Sequence, residues 1–486
     1  MDIDIKKMSF NQEFKTIIQN YINPLLGIKD DDVEETLIEC KGSSNVYFSD
    51  ENGNRYLYFY PHKNSLFGFR KLISKRFSDV NLPLIRKVLE ELRKVMYRDD
   101  STSRTKNYIN FDQCKKNYEF AVQRAIISWI FGEYNENIER LLSLLEKWSI
   151  RTHEGRKVPF AFVIDYLRQI DDGGICYIDF LEDEYSATLS DGITSIIELD
   201  LRCNYVDYHS ITEGNIFRES RLNGNPYRFS QVIDQFTDKR VGIFLLTSGD
   251  IILVKDQSIK LVKREGNWLN FDKQVLFSVL EFENERFSRE DKKPLVSSKL
   301  MEQIYSTALD VSFSHSGGII AVVSDYESVT KPSKIDSIEK AKGDSQSYEN
   351  ETFGIIDYID DISENNVLDF HDLAKRYPSE FDNPRMKKRF AKREIIQNLI
   401  KKYDNTFEKI DRKLRCELVS MDGATIIDSK GKIISIGAII QNDSGSYGGG
   451  RGSAAKKLSK YGMAIKISTD GYVEIYIAER IKYIIK

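Results

Sequence analysis

Cysteine is scarce in this 486-residue chain: Cys40, Cys114, Cys176, Cys203 and Cys416 are the whole set, scattered and odd in number. That spacing argues against a disulfide framework and against a Cys-based zinc site. No secretory leader is evident at the N-terminus, so a reducing, cytoplasmic location is expected. No apolar run approaches the roughly 20 residues needed to span a bilayer. Neither charge sign prevails, with 71 Lys and Arg against 75 Asp and Glu and a net charge of −4. Such a balance gives no clear signal for nucleic acid and none for a membrane surface. Internal repeats, heptads and low-complexity tracts are absent as well.

What the chain does contain suits globular cores: 41% hydrophobic residues and 12% aromatics. Its length implies about two to four domains. The expected fold is α+β and multidomain, divided into an N-terminal α+β domain at 1–105, a middle α+β domain at 106–293 and a C-terminal domain at 294–486.

Apolar spacing predicts a helix over 10–26, stopped near Pro24 and Gly27. Strands are expected at Thr36–Cys40, Val46–Ser49 and Tyr56–Tyr60, the last two forming a hairpin. An amphipathic helix follows at Leu82–Met96, and the polar stretch Arg98–Lys106 reads as a linker. Helices at 111–131 and 136–149 form a helical hairpin, with strands expected at Val158–Val163, Ile175–Phe180 and Thr194–Leu201. His153 beside Glu154 offers a proton-transfer pair, but with no partner cluster nearby a surface turn is the stronger reading. Val241–Trp268 reads as a meander of three short strands, followed by a helix at Phe271–Phe282.

Further on, Ser298–Asp310 reads as a helix and Val311–Phe313 as an apolar turn into His315-Ser316-Gly317-Gly318. The glycine pair suggests that something approaches His315 closely; the alternative is a buried, satisfied histidine. Tyr326–Glu351 reads as a mobile loop, with short helices at Phe353–Asp361 and Val367–Ala374. The basic run Asn383–Lys402 reads as a helix that either helps hold phosphates or presents a solvated face.

The organising stretch is Leu414–Tyr476. Apolar alternation around Ser429-Lys430-Gly431 gives two paired strands, and Asp422 is expected at a strand-to-strand junction. A Gly-rich loop, Gly445–Gly452, then feeds a small-residue helix starting near Ser453, and a strand follows at Met463–Ser468. Unpaired N–H groups and the helix dipole make such a helix start suited to phosphate. Arg451 and Ser453 are placed to add charge-assisted bonds, and Asp422 to hold a metal ion or a ribose hydroxyl. The alternative is a hairpin with a flexible loop.

This order of elements, with Asp422-Gly423-Ala424 and Arg451-Gly452-Ser453-Ala454-Ala455, resembles the diadenylate cyclase (DAC, DisA N-terminal-type) domain family. The similarity extends over residues 294–486 and includes the helix and Gly-led strand of Leu300–Asp325. That family joins two ATP molecules into cyclic di-AMP. Its signature motifs are Asp-Gly-Ala and Arg-His-Arg. The first is intact here, whereas Gly452 and Ser453 stand where the second has His and Arg. The family's later Ser-Glu-Glu-x-Gly segment is matched only loosely by Ser468–Gly471.

The resemblance implies an α/β domain with a central mixed sheet flanked by helices. It also implies ATP or a cyclic dinucleotide as ligand, with nucleotide contacts from Gly423, Ala424, Gly448, Gly449, Gly450, Arg451, Gly452 and Ser453. Asp422 would be the catalytic residue and would hold Mg²⁺ or Mn²⁺. A cyclase would need two such domains facing each other in a homodimer. The alternative is a catalytically inactive nucleotide sensor of the kind suspected in bacterial signalling and defence.

Overall fold

The computed structural model describes residues 12–26, 33–36, 40, 45–51, 54–60, 68–73, 82–96, 111–153, 155–168, 174–183, 189–211, 225–271, 296–323, 395–396, 398–438, 440 and 449–485. The expected linker at 98–106, the loop at 326–351, the two short helices after it and most of the basic run at 383–402 lie outside these residues. So do Glu154, Gly448 and all but the first residue of the helix expected at 271–282. The chain divides into two compact units, Met1–Val279 with Ile485–Lys486, and Leu280–Ile484. Both are α+β, with sheets flanked by helices.

The first unit opens with helix α1, residues 12–26, which passes through a π-helical turn at Ile18–Ile22. Strands β1 (Val33–Thr36), β2 (Val46–Glu51), β3 (Asn54–Phe59) and β4 (Gly68–Ile73) form an antiparallel sheet in the order β1-β4-β3-β2. Next come α2 (Leu82–Met96), α3 (Phe111–Phe131) and α4 (Glu136–Ile150). The first α4 turn is capped by the Asn135 side chain, which accepts from the Ile138 N–H at 3.1 Å.

A two-residue ribbon, β5 (Thr152–His153) and β6 (Arg156–Lys157), leads to β7 (Phe160–Asp165), α5 (Tyr177–Glu182), β8 (Ser195–Asp200), β9 (Tyr205–Ser210) and α6 (Tyr227–Phe236). Four strands close the unit: β10 (Val241–Leu245), β11 (Ile251–Lys255), β12 (Ser258–Arg264) and β13 (Asn267–Asn270). They extend a seven-stranded sheet in the order β13-β12-β11-β10-β7-β8-β9, in which β7 and β8 run parallel and the other pairs antiparallel. One hydrophobic core joins Phe14, Leu57, Phe69, Leu92, Ile126, Leu145, Phe162 and Trp268, so residues on both sides of position 105 share it.

Two expectations fail in this unit. Ile175–Phe180 is not a strand: Cys176 makes only a bridge to Asn204, and α5 begins at the next residue. Its buried Tyr177, Ile178 and Leu181 lie at helical spacing, and the Leu181 carbonyl accepts from the Trp148 indole at 2.9 Å. The meander at 241–270 has four strands rather than three, because the turn at Glu265-Gly266 adds β13.

The second unit begins, within the described residues, with α7 (Ser298–Ser314) and β14 (Gly318–Val323). A 3-10 turn at Phe407–Lys409 precedes α8 (Arg412–Val419), β15 (Ala424–Asp428) and β16 (Ile433–Ala438). Then come α9 (Gly449–Leu458), β17 (Gly462–Ile467), β18 (Val473–Ile477) and β19 (Arg480–Ile485). The six strands form a mixed sheet in the order β16-β15-β14-β17-β18-β19, with β14 and β15 parallel. Ala454, Ala455 and Leu458 of α9 pack with Ile319, Ala321, Ile426, Ala464 and Tyr476. The alanines let the helix sit close to the strands.

Three readings are corrected here. The segment before Asp422 is the helix α8, not a strand, so Asp422 lies at a helix-to-strand junction. Asp411 starts that helix by accepting from the N–H groups of Lys413 and Leu414. Val311–Phe313 is not a turn, because α7 runs on to Ser314 and His315 ends it in the left-handed region at φ 53°. Finally, α9 starts at Gly449, four residues earlier than expected, so Gly450, Arg451, Gly452 and Ser453 are helical.

Candidate functional site

The register of the second sheet brings the sequence motifs to one end of it. Ile320 pairs with Thr425 and Gly318 with Ile467. The residues entering β14, the residues entering β15 and the turn leaving β17 therefore share an edge. This is where Gly317, Asp422-Gly423 and Ser468–Gly471 lie.

Backbone closeness fixes two of the glycines. Gly423 has φ 100°, and a Cβ there would stand 2.8 Å from the Ala438 carbonyl oxygen and nearer still to the Gly437 carbonyl. Gly317 has φ 70°, and a Cβ there would meet Arg451 Nη1 at 2.7 Å and Thr469 Cγ2 at 3.2 Å. The guanidinium of α9 thus lies against the backbone that enters β14. His315 joins them, with Nδ1 3.1 Å from the Thr469 carbonyl oxygen. A carbonyl only accepts, so Nδ1 carries the hydrogen. Ser316 links Ser314 and Ser420, each 2.7 Å away, and so ties the end of α7 to the end of α8.

The charges at this end are unusual. Asp422 is exposed and has neither a hydrogen bond nor an ion pair among the described residues, and the same holds for the ion-pairing of half-buried Arg451. Arg451 belongs to the first turn of α9, which contains no acidic residue. The first four N–H groups of a helix lack intrahelical acceptors and carry partial positive charge, so a guanidinium beside them is locally unfavourable. An anion seated at that turn would turn this conflict into a complementary arrangement. Gly450 adds no bulk, since a Cβ there would meet nothing within 4 Å.

Behind the turn, Tyr476 approaches Gly452: its hydroxyl oxygen would be 3.9 Å from a Cβ at that position. The hydroxyl donates to Glu474 Oε2 at 2.6 Å, and Lys466 binds the same oxygen at 3.0 Å. Burial and then the bond to Glu474 push the Tyr476 phenol far up, so it stays a donor. Lys456 and Lys457 lie in the last turn of α9, away from its N-terminus, and Lys456 is exposed.

The sheet end therefore gathers Asp422, Gly423 and Ala424 on one strand entry, and Gly449, Gly450, Arg451, Gly452 and Ser453 at one helix start. Tyr476 escaped the sequence reading as a site residue, as did the contact between His315 and Thr469. Only the helix-then-glycine signal at His315 hinted at that contact. Among the described residues no group of three or more His, Cys, Asp or Glu is arranged to hold a metal ion. No helix among them is long and apolar enough to cross a membrane. The chain matches no protein-family model and no curated protein.

Proposed function

We propose that the second unit is a nucleotide-binding module similar to the diadenylate cyclase domain, taking ATP or a nucleotide-derived signal at this sheet end. The observation that carries the reading is Arg451 in the N-terminal turn of α9, without an ion pair among the described residues, on the same sheet edge as the Asp422 carboxylate, which likewise has none among them. The amides of Gly449 to Gly452 and the Arg451 guanidinium would bind phosphate oxygens, with Ser453 adding a hydroxyl. Gly423 and Ala424 would keep the strand entry open to the nucleotide.

One exposed carboxylate suits a magnesium or manganese ion that arrives with the nucleotide, because Mg²⁺ is commonly held by one or two carboxylates plus substrate phosphates. When bound, that ion would neutralise phosphate charge and favour ionisation of the attacking ribose hydroxyl. In a cyclase of this type the 3′-hydroxyl of one ATP attacks the α-phosphorus of another, the new O–P bond forms and pyrophosphate leaves. Two facing copies of the site would be required.

A second reading, nucleotide sensing without turnover, is favoured by the replacement of cationic positions with Gly452 and Ser453 and by the placement of Lys456 and Lys457 at the far end of α9. Loss of a preorganised donor typically costs about 10²–10³ in rate.

The test is incubation of the purified protein with ATP and Mn²⁺, chromatography for cyclic di-AMP, and thermal shift with ATP and with cyclic di-AMP. Product from the native chain but not from Asp422→Ala identifies a cyclase. A shift without product identifies a sensor, and ligand at about 100 times its Kd stabilises by about 2.7 kcal/mol. Neither product nor shift removes both readings.

A further inference from the structure

Five ionisable side chains meet at the carboxyl ends of β7 and β8, the parallel pair of the first unit's large sheet. Asp165 ends β7, and Glu198 of β8 is registered with Val163, so both carboxylates face the same side of the sheet. Both are nearly out of solvent, at 6% and 1% exposure. Three basic side chains surround them. Arg240, next to the start of β10, reaches Asp165 Oδ2 at 3.1 Å and Glu198 Oε2 at 3.4 Å. Arg168, beyond the end of β7, lies 3.4 Å from Glu198 Oε1. His209 of β9 places Nε2 2.7 Å from Glu198 Oε2 and stacks on Phe236.

The five are layered. The carboxylates lie behind, while the side chains of Arg168, Arg240 and His209 keep 58%, 28% and 26% of their surface in solvent. Glu198 Oε1 is buried without a hydrogen bond, so its contact with Arg168 is an ion pair alone. Apart from that ion pair, Arg168 makes no hydrogen bond among the described residues. A carboxylate only accepts, so Glu198 fixes the hydrogen on His209 Nε2 and orients the ring. Nδ1 has no partner among the described residues. Exposed Tyr166 and Leu167 border the arginines with apolar surface. In open sheets, ligands bind beyond the carboxyl ends of parallel strands.

We propose that this end of β7 and β8 is a binding site for the oxyanion of a small molecule, a phosphate or carboxylate group. Arg168, Arg240 and His209 are its contacts, and Asp165 and Glu198 are the buried groups that aim them. The site stands independently of any nucleotide bound by the second unit.

His209 reports on it directly. The full chain, labelled with ¹³C at histidine, is titrated with inorganic pyrophosphate and separately with tricarballylate. The His209 ring resonance is identified by its loss in His209→Gln. Saturable movement with a Kd below about 1 mM is expected for at least one probe. Arg168→Gln weakens it by about tenfold or more, and Arg168→Lys restores part of the loss. The probe that saturates tells phosphate from carboxylate recognition. No saturable movement with either probe overturns the proposal, as does equal affinity in Arg168→Gln, which would mean an adventitious ion only. In the Arg168 variants Arg240 and His209 still hold Glu198 Oε2, so the fold is kept, whereas Arg240→Gln would strand the buried Asp165.

Discussion

Glycines of the two motifs carry opposite demands in this chain. Gly423→Ala puts a methyl into the Gly437 carbonyl at φ 100° and should destabilise by about 2 kcal/mol or more, read as a lower urea midpoint. Gly450→Ala meets open space inside a helix and should leave that midpoint unchanged or raise it by up to about 1 kcal/mol. Equal losses at both positions would refute this account of the motif. Asp191 supplies a pH test. Burial pushes its carboxyl up, but the N–H groups of Thr194, Ile193 and Ser195 and the Thr194 hydroxyl outweigh it and hold the carboxyl below the ordinary range. A depressed carboxyl stabilises above its unfolded pKa, and that contribution is lost as pH falls through the folded value. Stability should therefore decline below about pH 4 with a slope that Asp191→Asn reduces, in urea titrations across that range. The motif residues themselves were legible in the sequence. Their reasons were not, because Gly317 is explained by Arg451 and Thr469 and Gly423 by Gly437 and Ala438, partners that pairing of distant segments supplies.

At the scale of elements, amphipathic helices were legible because one apolar stripe repeats at helical spacing, as in Leu82–Met96, whose bounds agree with the structure. The hairpin of β2 and β3 was legible for the same kind of reason, at period two. The misread segments are those in which local chemistry points one way and tertiary packing the other. The three glycines at the start of α9 read as loop, yet Ala454, Ala455 and Leu458 anchor the helix on the sheet and carry its first turn with them. The short apolar run before Asp422 read as a strand, yet α8 is held to α7 by Arg412, which bonds Asp310 at 2.7 and 2.9 Å. Asp310 is 8% exposed, so Asp310→Ala should cost about 1–3 kcal/mol, measured as a lower thermal midpoint. Buried Arg415 completes that joint, its Nη1 donating to the Ile410 carbonyl at 3.1 Å, while burial brings its guanidinium down to about 10.

At the scale of the whole molecule, two compact units with separate cores should not unfold as one. Scanning calorimetry is expected to give a calorimetric enthalpy larger than the van't Hoff value, or two resolved transitions, and a ligand of one unit should move one of them. A single transition with equal enthalpies would refute this. The second unit also has a history built into its strand order. β14, the apolar segment Gly318–Val323, pairs on one side with Ala424–Asp428 and on the other with Gly462–Ile467. Both partners are synthesised long after it. At about 5–20 residues per second, a ribosome needs roughly 5 to 30 seconds to deliver them. Throughout that interval a wholly apolar strand has both edges open, which makes the nascent chain a natural client for a chaperone and makes truncation before Gly462 an invitation to aggregate.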